Sequence, residues 1–337
     1  MNIFITLDYE IFFGEATKNV DKYLIEPTNR LLNELDKYNK KAVFFIDIGY
    51  VIALKKQMHK HVELEENYKA IVTQISEIDD REHEIGLHMH PHWEDCYYDG
   101  EKWHMHLSRF KLADYNKEKA KQLFIHYHNE LASLVQQKII SYRAGGWCLE
   151  PFYHIKDAME ICGIQIDSSV FSNGKSTTKT HHFDYTNYPN ETLWSFKEEP
   201  KIVNEAGSFI EIPITSHTVK PTIYWKVLYD RIFNKKKQVG KGKSTKPSKI
   251  EALKKLFFST TDVLSIDNYK ANLLIASVEK YFLEHKKNVC IIGHPKCFSN
   301  ETFLQLERLL QFSIKKNAPI KMLRQLVTTN VLEMKNN

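Results

Sequence analysis

Three histidines, His88, His90 and His92, stand at alternate positions after the apolar stretch Ile85-Gly86-Leu87, with Pro91 inside the run. Residues two apart in an extended chain share a face, so the three rings start out pointing the same way until the proline bends the path. Neutral imidazole is the commonest metal-binding side chain. A pair such as His88 and His92 supplies two nitrogens, whereas a catalytic zinc takes three protein ligands and keeps one position for water. The pattern therefore asks for a carboxylate from elsewhere in the chain. The plainer reading is surface histidines in a chain that holds 16 of them. His-x-His and His-x-x-x-His also recur by chance, but three histidines in five residues at a strand end, beside a glycine and a proline, weigh towards a site.

Carboxylates and further polar residues occur where other apolar runs end. Ile3 to Leu7 leads into Asp8-Tyr9-Glu10, and Ala42 to Ile46 into Asp47. Lys138 to Tyr142 leads into Arg143, Ile164 to Ile166 into Asp167-Ser168-Ser169, and Val289 to Gly293 into His294. Two histidines and a carboxylate complete a three-ligand metal site with an open position. A cation there would lower the pKa of a water towards ~7. A second carboxylate would take the proton as that water attacks a carbonyl. An arginine beside this base would hold its pKa down and orient it, and a histidine on the far side would protonate the departing amine. Each residue also has a plainer reading: a salt bridge to a helix for Arg143, a helix cap for Asp167, a satisfied core histidine for His294.

The elements that must position these groups alternate. Helical spacing runs from Asp21 to Tyr38, Asn67 to Ile78, Asn116 to Gln136, Pro151 to about Gly163, about Asn268 to Glu284, and Glu301 to Lys315. Between them lie seven apolar strands, the sixth being Phe209 to Pro213. Continuous apolar strands separated by helices predict an α/β fold, a parallel sheet covered on both faces. In barrels of this class the active site lies at the carboxyl ends of the strands, which is where the candidate residues fall. Asp95 to Ala113 reads as a long loop over the site. The whole chain, 1–337, reads as a single domain, with Phe171 to Ala206 and an insertion at 216–265 outside the repeat. The insertion contains Lys235, Lys236, Lys237, Lys241, Lys243, Lys246 and Lys249. This lysine run predicts a solvated, mobile loop; the sharper reading is contact with anionic lipid headgroups or a pyrophosphate-linked substrate.

Composition bounds the class. The chain has 337 residues, 42% hydrophobic and 26% charged, which predicts a folded globular protein. Its net charge of +5 favours an anionic substrate or a membrane surface and does not indicate nucleic acid. Five cysteines without metal-type spacing argue against a disulfide scaffold. The first residues lack a basic start and a cleavage site, and no apolar run approaches the ~20 residues of a membrane span. The expected compartment is the cytoplasm, with no transmembrane segment.

In order and content, these motifs resemble the polysaccharide deacetylase superfamily, the NodB-homology domain, from Thr6 to Pro295. The resemblance implies an irregular seven-stranded (β/α) barrel and a metal-dependent amide hydrolase that removes acyl groups from amino sugars. Thr6-Leu7-Asp8-Tyr9-Glu10 carries the base at Asp8. Tyr9 stands where the family places a metal-binding carboxylate, and Glu10, one residue later, is similar to the ligand of divergent members whose carboxylates are two apart. His88 and His92 match the family's His-x-x-x-His and become the other ligands; His90 is left as a spare residue near the substrate. Arg143 matches the arginine on the base, and Ile291-Ile292-Gly293-His294-Pro295 carries the acid histidine. Ala144-Gly145-Gly146-Trp147 replaces the family's proline-tyrosine, which makes Trp147 a wall for the sugar, and Asp167 resembles a further substrate residue. The cofactor implied is a divalent cation, zinc by first choice, with iron and manganese also compatible with two histidines and a carboxylate. The partner implied is a carbohydrate, with a lipid- or nucleotide-linked sugar of surface-polysaccharide synthesis as one form of it. Two other functions stay open: another metal hydrolase (a phosphoesterase or amidohydrolase), and a sugar-binding relic with impaired chemistry.

Overall fold

The computed structural model describes residues 1–12, 19–233 and 249–327. The lysine run, apart from Lys249, lies outside them. Eight strands form one sheet: β1 (Asn2–Tyr9), β2 (Val43–Asp47), β3 (Glu84–Met89), β4 (Ser141–Ala144), β5 (Ile166–Asp167), β6 (Trp194–Phe196), β7 (Phe209–Glu211) and β8 (Asn288–Gly293). Their order is β6-β7-β5-β4-β3-β2-β1-β8. All neighbours are parallel except β6 and β7. The seven parallel strands are the seven apolar runs, and β6 adds an antiparallel edge from the polar segment 171–206. Beyond β7 the chain crosses to β8, where the Thr215 N–H donates to the Cys290 carbonyl at 2.9 Å. The sheet thus curls into an irregular (β/α) barrel.

Alternation along each strand divides the core in two. Ile3, Ile5, Leu7, Phe44, Ile46, Ile85 and Leu87 face outwards into the main apolar cluster, under helices that include α1 (Glu26–Lys37), α2 (Ile48–Gln57), α3 (Val62–Asp80) and α4 (Lys117–Ala132). Phe4, Val43, Phe45, Ile166, Ile210 and Cys290 face inwards and fill the barrel, with Leu323 at its base. Each such side chain contributes about 1.5–3 kcal/mol when fully buried. Gly86 marks how full the interior is: a Cβ there would lie 2.7 Å from the Phe45 ring and from Ser141 Oγ.

The same alternation explains Tyr9. It faces outwards, and its hydroxyl donates to Gln74 Oε1 on α3 at 2.8 Å. Asp8 and Glu10, on either side of it, both turn towards the mouth of the barrel.

Candidate active site

The carboxyl ends of β1, β3 and β8 bring the titratable side chains together. Glu10, His88 and His90 form the one group among the described residues whose ligand atoms lie within 4.8 Å of one another. His90 Nε2 is 2.7 Å from Glu10 Oε2, His88 Nε2 is 3.7 Å from the same oxygen, and the two nitrogens are 3.1 Å apart. All three residues are buried. His88 Nδ1 lies 2.9 Å from the Arg143 carbonyl. With the N–H donating there, Nε2 is left as the ligand atom, which is how backbone carbonyls commonly fix metal-binding histidines. Gly145 makes room on the other side, since a Cβ there would lie 2.7 Å from His90 Nδ1.

His92 is outside this group. Its buried ring stacks on Phe110, with centroids 5.6 Å apart, and meets the His90 ring edge-on at 5.4 Å. Burial and the neighbouring His90 hold its pKa well below the usual histidine value. Pro91 starts the short helical turn Pro91–Asp95 after β3, so the alternation that carries His88 and His90 ends before His92 is reached.

Beside the group stands Asp8. Its Oδ1 accepts a hydrogen bond from Arg143 Nη1 at 2.6 Å. Its Oδ2 lies 3.9 Å from His88 Nε2 and 3.6 Å from His294 Nε2. Burial pushes the carboxyl pKa up, but Arg143, His88 and His294 outweigh it and hold Asp8 below the ordinary aspartate value. Glu10 is likewise lifted by burial and then drawn well below its usual range, chiefly by Lys296 and His90. Lys296 Nζ is 2.9 Å from Glu10 Oε1.

Across the mouth, His294 Nε2 is 3.5 Å from Glu10 Oε1. Its Nδ1 is 2.6 Å from Asp267 Oδ2, and its backbone N–H donates to Asp267 Oδ1 at 2.8 Å. Burial would lower the imidazole pKa, but Asp267, Asp8 and Glu10 raise it above the usual value. For His88, burial is again outweighed, by Asp8, Glu10 and Asp47, and the imidazole is held at about 9. The site is built to hold positive charge where Nε2 of His88 points.

Trp147 and Asp167 sit apart from this cluster. Trp147 packs edge-on against Phe171 at 5.1 Å and Phe183 at 6.4 Å. Asp167 is fully buried, and its carboxylate accepts from the Ser169 hydroxyl at 2.7 Å and the Ser169 N–H at 3.0 Å. Ser169 Oγ in turn accepts from the Ala144 N–H at 2.8 Å. Asp167 therefore holds the ends of β4 and β5 together.

Of three further residues nearby, Asp47 stood at a strand end in the sequence without a role given to it, while Asp267 and Lys296 escaped notice. Asp267 ends the apolar run Val263-Leu264-Ser265-Ile266, the same signal that marks the other strand ends. Asp47 closes β2; it accepts from Trp93 Nε1 at 2.9 Å, and burial raises its pKa. Lys296 carried no signal.

No family model matches the sequence, and no curated protein matches it. Solved structures do. A protein from Mycobacterium smegmatis assigned as a polysaccharide deacetylase superposes with a TM-score of 0.56 at 13% identity, covering 99% of this chain and 91% of that one. The Bc1960 peptidoglycan N-acetylglucosamine deacetylase matches with a TM-score of 0.42 at 13% identity, over 96% of this chain and 86% of that one. A family 4 carbohydrate esterase from Streptomyces lividans gives 0.40 at 10% identity, over 95% and 92%. The comparison with the first carries the argument: this chain has a divergent form of the NodB-type polysaccharide deacetylase fold.

Proposed function

We propose that this protein is a metal-dependent hydrolase that removes an N-acyl group, acetyl by first choice, from an amino sugar. The observation that carries this reading is the convergence of Glu10, His88 and His90 on one point, flanked by Asp8 on Arg143 and by His294 on Asp267. Two imidazole nitrogens and a carboxylate oxygen, buried in a pocket that favours positive charge, suit a divalent cation, zinc before iron or manganese. When bound, the cation supplies a water acidic enough to attack an amide carbonyl at neutral pH. Asp8 Oδ2 would take the proton of the attacking water, while Arg143 keeps the other oxygen engaged and the carboxylate ionised. His294, charged and oriented by Asp267, gives a proton to the departing amine. Trp147, Asp167 and His90 are the residues the sequence assigned to the substrate; of these, His90 belongs with the ligands in our reading.

A carbohydrate carried on a lipid or nucleotide, in cytoplasmic synthesis of a surface polysaccharide, is the substrate class we infer. Five free cysteines suit a reducing compartment. Among the described residues no helix is long and apolar enough to cross a membrane. The test is metal analysis of the purified protein together with acetate release from N-acetylated amino sugars. Phosphate release without acetate release supports a phosphoesterase; sugar binding without metal supports a relic.

The third ligand has a second candidate, because the resemblance implies His92 and its ring touches that of His90. His90→Ala is expected to lower metal affinity about 100-fold or more and His92→Ala about tenfold or less, measured by titration with a chromogenic chelator. The reverse order assigns the ligand to His92.

Asp267→Asn provides a further check. Removing the carboxylate that raises the His294 pKa is expected to move the alkaline limb of the pH–rate profile to lower pH. The loss in turnover is about 10–100-fold. An unmoved limb removes His294 from the role of acid.

A further inference from the structure

Charge is distributed very unevenly along this chain. Residues 220–258 hold 12 basic side chains and 2 acidic ones, a balance of 12 − 2 = +10, against +5 for the whole protein. The remaining residues therefore sum to 5 − 10 = −5. The described parts of this stretch are two helices, Pro221–Phe233 and Lys249–Phe257, which lean on each other: Trp225 Nε1 donates to the Leu256 carbonyl at 2.8 Å, and the Trp225 and Phe257 rings meet edge-on at 6.4 Å.

The same helices concentrate exposed apolar surface. Among the described residues, fifteen large hydrophobic side chains are exposed, and six of them are here: Trp225, Leu228, Tyr229, Leu253, Phe257 and Phe258. Phe257 and Phe258 are 62% and 67% exposed. The other nine are spread over the rest of the molecule, as is ordinary for a soluble surface. Lys226 and Lys254 are exposed beside the apolar residues.

We propose that this helical arm docks on an anionic lipid bilayer. Aromatic and leucine side chains with interspersed lysines are the composition of helices that lie in the membrane interface, where rings enter the headgroup boundary and ammonium groups meet lipid phosphates. Charge complementarity selects a lipid surface of negative charge. The apolar side chains distinguish it from a soluble polyanion, which offers them nothing. The arm docks without spanning, because no described helix is long and apolar enough to cross.

Its attachment gives the docking a consequence. The arm extends from the two-stranded ribbon Ser216–Val219 and Thr260–Val263. Four residues beyond the ribbon is Asp267, which holds His294. The ribbon thus links the arm to the residue that holds His294, a connection suited to an amino sugar carried on a lipid. This consequence rests on the deacylase reading; the docking itself does not.

The test is co-sedimentation of the full chain with phosphatidylcholine vesicles, with and without phosphatidylglycerol, at low and high salt. Binding is expected only with phosphatidylglycerol and is expected to weaken at high salt. Phe257→Ser/Phe258→Ser is expected to reduce it about tenfold or more, whereas Leu304→Ser/Ile314→Ser, an exposed pair on the helix Asn300–Lys315, leaves it unchanged. The proposal is overturned if phosphatidylglycerol vesicles are not bound, if both vesicles bind alike, or if Phe257→Ser/Phe258→Ser binds as the parent does. Tight binding to duplex DNA without vesicle binding overturns it in favour of a nucleic-acid surface. A solution dimer dissociated by Phe257→Ser/Phe258→Ser, again without vesicle binding, overturns it in favour of a second copy. Sedimentation needs no turnover, so an inactive protein that binds vesicles refutes deacylation and leaves the docking intact.

Discussion

His88→Ala is expected to abolish metal binding and turnover together, while Asp8→Asn keeps the metal and loses turnover. The two residues are neighbours at the mouth of the barrel, 3.9 Å apart at their closest charged atoms, and their surroundings separate them. His88 Nδ1 is committed to a backbone carbonyl, so Nε2 faces Glu10 and His90 as a lone-pair donor. Removing it leaves two ligands, too few to retain a catalytic cation. Asp8 has one oxygen on Arg143 and the other towards His88 and His294. Asparagine keeps nearly the same shape but cannot receive a proton. A positioned base contributes about 10²–10⁴-fold, so turnover of Asp8→Asn falls by about that factor, and that of His88→Ala by at least as much. Metal content by plasma emission and acetate release on the same preparations decide it. If Asp8→Asn is purified without metal, Asp8 is a ligand and the roles given to Asp8 and Glu10 are wrong.

What made the fold legible was burial. Seven strands are covered on both faces, so each is a continuous apolar run, and the polar residue that ends the run marks the mouth of the barrel. Burial also hid an element. Ile48 to Leu54 of α2 are buried all round, so that helix has no polar face and no helical period to detect. The antiparallel edge β6 has only three residues, in a segment rich in Asn, Thr and Tyr. The site was legible one strand at a time. Asp8, Glu10, Arg143 and His294 stand together because alternation on neighbouring parallel strands aims them alike. The different placement of His90 and His92 was not legible, because it depends on where Pro91 ends the extended chain. The direction of Asp167 depends on the register of β4 and β5, which pairs it with outward-facing Tyr142. Asp267 needed the crossing from the ribbon to β8, which the unpatterned insertion obscured.

The site also has a charge logic that no single motif carries. Asp8, Glu10 and Asp47 are buried near one another, and among the described residues the groups that compensate them are Arg143, Lys296 and the imidazoles. A divalent cation held by Glu10, His88 and His90 would add to this compensation, and His88 would give up the proton that the carboxylates otherwise favour. Metal binding is therefore expected to release protons as pH falls towards the His88 value of about 9 and below. Calorimetric titration in buffers of different ionisation enthalpy reads that release directly; a heat that does not change with buffer contradicts it.

Arg143 ties the barrel interior to Asp8, the proposed base, and its replacement should show in both stability and turnover. The guanidinium is fully buried. Its Nη1 donates to Asp8 Oδ1 at 2.6 Å, Nη2 to Thr6 Oγ1 and Ser168 Oγ at 2.9 Å each, and Nε to the Ser168 carbonyl at 2.7 Å. Its Cζ lies 4.3 Å from the centroid of the Phe45 ring. Lysine has three donors on one nitrogen and cannot reproduce this spread. Arg143→Met fills much of the volume but leaves Asp8 buried without its main counter-charge, which costs about 3–5 kcal/mol and lowers Tm by roughly 4–7 °C for a chain of this size. Turnover falls with it, because Asp8 then sits higher in pKa and is no longer oriented. Asp8→Asn in the same chain removes the unpaired charge, so Asp8→Asn/Arg143→Met is expected to be more stable than Arg143→Met alone. Calorimetric melting of the two single variants and the double variant measures that coupling. If the double variant is as unstable as the sum of the singles, Arg143 stabilises the barrel by packing alone and its hold on the base is incidental.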